Sequence, residues 1–228
     1  MKKYRPFLVL FAIIILPLLV WVALKLVSEQ RYRPIEILSE KIPNPDGSPD
    51  SVFRAVGDFA FVTQAGDTLR RSDLQDKIWV ATECYGACTE TCDLINGYFQ
   101  QMIEKDFAED PDIRFVSFSI DPKDDSTSIR AYAEHAKAEV GRWYVVRGNA
   151  ASMEKFLTEE LMFNPLDTTA FKANSLSDRG VRLIDWDGRL RGQLYHGDME
   201  PEMVTLAQHI VLLQKELEEL KSGKPAGH

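Results

Sequence analysis

Hydrophobic and polar positions follow different patterns in three parts of the chain. Residues 7–24 form an apolar run, FLVLFAIIILPLLVWVAL, without a single charged residue. Residues 28–56 are mostly polar and contain four prolines, a composition typical of an extended linker. From residue 57 onward, short strand-like segments alternate with longer segments that have helical spacing. This alternation predicts a folded α/β domain.

The apolar run predicts a transmembrane helix within residues 1–27. Its 18 residues reach the lower range of what a helix needs to span the hydrocarbon core of a bilayer. Basic residues precede the run, so we expect a single-pass protein with a cytoplasmic N-terminus and an exported domain, periplasmic if bacterial. A cleaved signal peptide is the alternative, but no small-residue cleavage pattern follows at residues 25–29.

The folded part is predicted to be a thioredoxin-like sheet flanked by helices over residues 57–222, with a tail at 223–228. Predicted strands cover 58–63, 77–83, 113–120, 142–146, 181–185 and 190–196. Predicted helices cover 94–107, 126–140, 149–162 and 201–220. Ser126 is the predicted cap of the second, and Asn149 opens the third. Strands that alternate with helices in this order predict a sheet covered by helices.

All three cysteines lie in one stretch, Cys84-Tyr-Gly-Ala-Cys88-Thr-Glu-Thr-Cys92, between a predicted strand and a predicted helix. A helix N-terminus favours the thiolate, which binds soft metals and attacks disulfides. Cys88 and Cys92 are four residues apart, so one helix face can present both sulfurs to a metal ion. The same pair can close a disulfide if the turn is distorted. Cys84 lies in the apolar strand pattern, where a buried structural thiol is the simpler interpretation.

The charge balance narrows the classes of partner. The net charge is −8 and the isoelectric point is about 5.1, which argues against nucleic acid as the main partner.

Four segments of the domain, in the right order, resemble the Sco family, the SenC-type copper chaperones of cytochrome c oxidase assembly. The segments are Lys77-Ile-Trp-Val-Ala with Cys88-Thr-Glu-Thr-Cys92, Phe115-Val-Ser-Phe-Ser-Ile-Asp-Pro, Ile129-Arg-Ala-Tyr-Ala with Gly141-Arg-Trp, and Leu183-Ile-Asp-Trp-Asp-Gly. The resemblance implies a copper site at Cys88 and Cys92, with Cu(I) favoured, and a copper-accepting oxidase subunit or similar protein as partner. It also leaves open a thiol–disulfide oxidoreductase that acts on a partner's cysteines, or a degenerate domain that serves only for interaction.

The chain departs from the family pattern at two places. The third copper ligand of the family is a histidine, but Ser177 stands at or beside the corresponding position, and no histidine lies between His135 and His196. Asp93 replaces the proline that usually follows the second cysteine. Two thiolates still suit Cu(I), whereas Cu(II) prefers nitrogen ligands. Cys84 is one candidate for the replacement of the histidine, and it would give a three-sulfur site.

Overall fold

The centre of the structure is a seven-stranded mixed sheet. The structure, a computed structural model, describes residues 5–29, 34–86, 90–165 and 180–222. The strands in chain order are β1 (Lys41–Pro43), β2 (Ser51–Phe53), β3 (Ala60–Thr63), β4 (Thr68–Arg70), β5 (Ile78–Cys84), β6 (Ile113–Ser119), β7 (Trp143–Arg147), β8 (Gly180–Ile184) and β9 (Leu190–His196). The sheet order is β4-β3-β7-β6-β5-β8-β9, and β1 pairs with β2 in a separate hairpin. This architecture confirms the predicted α/β sheet with flanking helices.

The helices are α1 (Arg5–Glu29), α2 (Glu90–Gln101), α3 (Ser126–His135), α4 (Ala150–Lys155) and α5 (Glu200–Lys221). Two of them continue as π-helical segments, α2 through Met102–Asp106 and α4 through Phe156–Glu160. A short 3-10 turn, Arg71–Leu74, leads into β5. These bounds place a helix in each predicted helical segment.

The core has two layers, one on each face of the sheet. On one face, Phe99 of α2 packs against Phe115 and Trp143, with ring centroids 4.8 and 5.4 Å apart. On the other face, Phe118 packs against Phe156 at 5.5 Å between ring centroids. Strands β5 and β6 are covered on both faces, so every residue of β5 is buried. That double coverage explains why β5, Ile-Trp-Val-Ala-Thr-Glu-Cys, is mostly apolar on both of its faces.

The ends of α3 differ from the prediction. Ser126 was predicted as its cap, but the cap is Asp125, whose Oδ1 accepts hydrogen bonds from Thr127 N and Ser128 N at 2.8 and 2.9 Å. The helix ends at His135, before the predicted Val140. Lys137 adopts a φ of 53°, and Ala138 N donates to Ala133 O at 2.8 Å. A left-handed residue with such a bond closes the helix.

Residues 34–56, within the predicted linker, pack on the sheet. Ile35 is buried, and Ile37 forms a β-bridge with Arg191. Two further main-chain bonds, Leu38 N to Leu190 O at 2.9 Å and Gly192 N to Glu36 O at 2.8 Å, continue this contact along β9. The segment therefore covers the exposed edge of β9, which removes an unpaired strand edge from solvent.

Helix α1 contains the apolar run. Its described side chains are those of Phe11 and residues 13–24. Among the described residues, no helix is long and apolar enough to cross a membrane.

A buried ion network joins β9 to α5 and to the N-terminal segment. Arg191 is 1% exposed. Its guanidinium donates to Asp185 Oδ2 at 2.8 Å, to Glu216 Oε2 at 2.7 Å and to Ile35 O at 3.2 Å. Asp185 also accepts from Arg189 Nε at 2.9 Å. With these bonds the buried charges are compensated, as burial requires.

We expect Arg191→Met to destabilise the protein strongly, because it leaves the Asp185 carboxylate with one cation fewer in a buried site. Removing one partner of a buried pair costs roughly 3–5 kcal/mol. Since Arg189 still contacts Asp185, we expect the lower end, about 3 kcal/mol. Urea unfolding of the purified protein measures the change in the free energy of unfolding.

The matched control is Lys155→Met. It removes an exposed ion pair with Glu159 at 3.9 Å, and such pairs contribute about 0.5 kcal/mol or less. If Arg191→Met changed stability no more than Lys155→Met, the buried network would not be a main source of stability.

Candidate functional site

The cysteine stretch lies where β5 ends and α2 begins. Cys84 is the last residue of β5, and α2 starts at Glu90. Strands β5, β6 and β7 are parallel, so their carboxyl ends meet at one edge of the sheet. Cys92 lies in the first turn of α2 and is 1% exposed. Two predicted site residues, Cys88 and Ser177, lie outside the described residues.

The described cysteines are in different redox states. Cys92 is disulfide-bonded, whereas Cys84 is a free thiol. Because Cys88 lies outside the described residues, the predicted pairing of Cys88 with Cys92 stays a prediction. A sulfur in a disulfide is neither a thiolate ligand nor a nucleophile, so Cys92 can act in either role only after reduction.

The environment of Cys84 favours a neutral thiol. Cys84 is buried, and this burial is the largest cause that raises the pKa of its thiol well above the usual value. The negative charges of Asp124 and Glu83 raise the pKa further. A thiol that keeps its proton is a weak nucleophile and a weak metal ligand, so Cys84 differs chemically from a reactive cysteine.

The loop that follows β6 packs against the loop that follows β5. The Asp124 carboxylate accepts hydrogen bonds from Gly86 N at 2.8 Å and from the Ser119 hydroxyl at 2.6 Å. A Cβ atom at Gly86 would come within 2.7 Å of Asp124 Oδ1 and 2.9 Å of Ser128 Cβ. Gly86 is therefore required by this close approach. The contact holds the entry to the cysteine stretch against the sheet edge.

A buried polar pair, Asn96 and Tyr132, lies between α2 and α3. The Tyr132 hydroxyl donates to Asn96 Oδ1 at 2.9 Å. Among the described residues, Asn96 Nδ2 has no hydrogen-bond partner, and such a buried donor costs about 1–3 kcal/mol. Burial raises the pKa of Tyr132 well above its usual value, so its hydroxyl keeps its proton and remains a donor to Asn96.

Asn96 and Tyr132 were not predicted from the sequence. A signal was available, because Asn96 is four residues after Cys92 and lies between the core residues Ile95 and Phe99. A polar residue on the buried face of a helix, one turn from a cysteine, is a recognisable pattern.

The described histidines have ordinary partners. Exposed His135 pairs with Asp93 at 2.8 Å, His196 Nδ1 lies 3.1 Å from Glu202 Oε2, and His209 Nδ1 lies 2.6 Å from the Tyr195 hydroxyl. Within the described ranges, no group of three or more His, Cys, Asp or Glu side chains is placed to hold a metal ion.

Comparisons with known proteins agree with this architecture. The SCO1/SenC family profile matches residues 48–211. A SCO1 protein homolog of Bacillus subtilis (strain 168) is 26% identical over 109 residues, which are 47% of this chain and 56% of that protein. The chain thus matches a little over half the length of this curated relative.

Three solved structures share the fold. A SCO1/SenC family lipoprotein from Bacillus anthracis str. Ames is 22% identical, with a TM-score of 0.59 over 70% of this chain and 95% of that one. BsSco, described as a Sco cytochrome c oxidase assembly protein with a disulfide switch, is 20% identical, with a TM-score of 0.59 over 70% and 94%. Copper-bound ScoI of Arabidopsis thaliana is 15% identical, with a TM-score of 0.54 over 69% and 99%. At these identities the likeness establishes the fold.

We expect Gly86→Ala to destabilise the protein by about 1–3 kcal/mol, because the added methyl group must push Asp124 or Ser128 aside. Gly97→Ala is the matched control, since Gly97 lies in α2 and a Cβ there would meet nothing within 4 Å. Alanine in the middle of a helix should stabilise by about 0.5–1 kcal/mol. Urea unfolding of both variants measures the changes, and equal changes with the same sign would contradict the proposed contact.

Proposed function

Because the chain belongs to the SCO1/SenC family, we propose that it binds copper and assists the assembly of cytochrome c oxidase or of a similar copper enzyme. Family membership confirms the resemblance predicted from the four sequence segments. The observation that supports the proposal most directly is the position of Cys92. It puts a buried, disulfide-bonded sulfur in the first turn of α2, at the carboxyl edge of the parallel strands.

In this proposal Cys88 and Cys92 are the two sulfur ligands, and copper is the cargo. Thiolates select Cu(I) among the states of copper, because both the ligand and the ion are soft. The positive end of α2 favours the ionised sulfur that copper requires. Since Cys92 is disulfide-bonded, reduction must come before copper binding.

Cys84 is the candidate for a third sulfur ligand. Its burial and its acidic neighbours raise the pKa of the thiol, so ligation requires the loss of a tightly held proton. We therefore propose that Cys88 and Cys92 suffice for Cu(I), with Cys84 as a neutral neighbour. Ser177 at the place of the family histidine leaves Cu(II) without a nitrogen ligand from that position.

A thiol–disulfide reductase is the second candidate function. The disulfide at Cys92 favours it, because a reductase cycles between this state and the dithiol. Ser177, at or beside the position of the family's third copper ligand, favours the reductase as well. A domain that serves only for interaction is the third candidate, and it predicts neither copper binding nor disulfide reduction.

We propose that α1 anchors the protein in a membrane, as a single span with the domain outside the cytoplasm. The 18 uncharged residues within α1 support this proposal. So does the exposure of large apolar side chains such as Ile13, Leu16 and Leu24, because these groups would gain from an apolar surrounding.

Copper binding should require both sulfurs. We expect Cys88→Ser and Cys92→Ser each to abolish tight Cu(I) binding, since one thiolate leaves Cu(I) without its second soft ligand. Competition with a chromogenic Cu(I) chelator under reducing conditions measures stoichiometry and affinity. Cys84→Ser is the control and should retain one Cu(I) per chain.

A gain of Cu(II) binding tests the missing ligand. Ser177→His, tested together with Leu176→His and Asp178→His, should strengthen Cu(II) binding at the one position that faces the sulfurs. If the unmodified protein binds no Cu(I) but reduces a disulfide substrate, the reductase replaces the chaperone as the function. If it does neither, the interaction domain remains.

The topology has its own test. In cells whose outer barrier has been removed, added protease should digest the domain while the membrane stays intact, because the domain is proposed to lie outside the cytoplasm. A cytoplasmic marker protein that survives the digestion is the control. Protection of the domain would reject the proposed orientation, and recovery in the soluble fraction would reject the anchor.

A further inference from the structure

Asn96 lies in α2, one helical turn after Cys92, and has an unused hydrogen-bond donor. It is 3% exposed, and Cys92, one helical turn earlier, is 1% exposed. Its Oδ1 accepts from the Tyr132 hydroxyl at 2.9 Å. In the part of the chain that is described, its Nδ2 donates to nothing. Buried amide groups are nearly always paired, so this exception calls for an acceptor.

Helix geometry directs the Asn96 amide toward Cys92. Side chains four residues apart lie on the same face of a helix, and both of these residues face the interior. Helical side chains also lean toward the helix N-terminus, so each covers the turn that precedes it. The amide of Asn96 therefore extends over the turn that contains Cys92.

Tyr132 bonds the oxygen end of the Asn96 amide. Its hydroxyl donates to Oδ1 at 2.9 Å. Tyr132 is anchored in α3 and is itself buried. In this arrangement Nδ2 is the end of the amide that is available to donate.

We propose that Asn96 Nδ2 donates a hydrogen bond to the sulfur of Cys92 once the disulfide is reduced. In that step an external dithiol supplies two electrons, the S–S bond at Cys92 breaks, and the dithiol becomes a disulfide. The two protons of the dithiol go to the released sulfurs or to solvent. A reduced sulfur, above all as a thiolate, accepts hydrogen bonds better than a disulfide sulfur does. Asn96 is therefore a positioning residue that shifts the equilibrium toward the reduced, copper-competent form.

This inference rests on the proposed function only in that the function requires reduced Cys92. Reduction can be measured without copper. If the protein binds no copper but Asn96 still shifts the reduction equilibrium, the chaperone function is rejected and this inference stands. If the protein binds copper but Asn96 has no effect on the equilibrium, this inference is rejected and the chaperone function stands.

The test equilibrates the full-length chain, purified in a mild detergent, with mixtures of reduced and oxidised dithiothreitol. Alkylation followed by mass spectrometry counts the reduced molecules. We expect Asn96→Leu to lower the equilibrium constant for reduction about tenfold, which corresponds to about 30 mV for a two-electron couple. Tyr132→Phe should shift it in the same direction by about threefold, because the amide is then free to turn.

Asn96→Asp is the second variant for the case that Asn96→Leu fails to fold. It keeps the acceptor for Tyr132 and, with the carboxyl ionised, replaces the donor by an oxygen, so at alkaline pH the shift should have the same direction and be at least as large. Asn149→Leu is the matched control. It removes the cap of α4, where Asn149 Oδ1 accepts from Ala151 N at 3.1 Å, and should leave the reduction equilibrium unchanged.

An unchanged reduction equilibrium in Asn96→Leu or Asn96→Asp would overturn the proposal. Equal losses of unfolding free energy in the oxidised and reduced forms would then assign Asn96 a purely structural role. A shift toward the reduced form would overturn the proposal as well, because it would show that Asn96 favours the disulfide.

Discussion

The parallel register of β5 and β6 is the constraint on which the site depends. Cys84 lies opposite Ser119 in this register, so the segments that follow β5 and β6 leave the sheet side by side. Only then can one carboxylate, that of Asp124, bond both the Ser119 hydroxyl and the main chain at Gly86. A shift of β5 by one residue against β6 would turn Cys84 to the face opposite that of Ser119. The start of α2, and with it the sulfur of Cys92, is positioned by this pairing.

The two ends of β5 bury polar groups in different ways. At its amino end, Trp79 pairs with Ile184, next to Asp185, whose charge is balanced by Arg189 and Arg191. At the carboxyl end, near the cysteines, the described groups leave the donor of Asn96 unused. Arg71 Nε, in the turn that leads into β5, also lacks a partner among the described residues. Asn96 differs from Arg71 in its position, one helical turn after Cys92 on the buried face of α2.

The sequence predicted the elements whose patterns are set by the core. The sheet strands that flank the site and the helices after them were predicted because buried faces impose apolar spacing. The packing of residues 34–56 on β9 was not predicted. Their prolines and polar residues have the composition of a linker, and the sequence does not show which strand edge they cover. The end of α3 depends on a left-handed Lys137, a residue type with no preference for that conformation.

The candidate site was predicted only as far as its sulfurs. Cysteine spacing indicates sulfur chemistry whatever the fold, whereas Asn96, Tyr132 and Asp124 act through contacts between distant elements. Tyr132 reaches Asn96 across 36 positions of sequence, and Asp124 reaches Gly86 across 38. No local pattern encodes such pairs. The raised pKa of Cys84 likewise follows from burial and from the charges around it, which only the folded chain brings together.

In the proposed function, the charges of the sulfurs, of the copper ion and of the polar groups around them must balance one another. Two thiolates that bind one Cu(I) carry a net charge of −1, and burial of Cys92 at 1% exposure places part of that charge away from water. A buried anion there needs hydrogen-bond donors. The unpaired N–H groups at the start of α2 supply some of them. A second anion at Cys84 would add to the same charge, which is a physical reason for its thiol to stay neutral beside Asp124 and Glu83. In the proposed function, a histidine at position 177 would serve Cu(II), and its absence leaves a site whose charge and softness both match Cu(I).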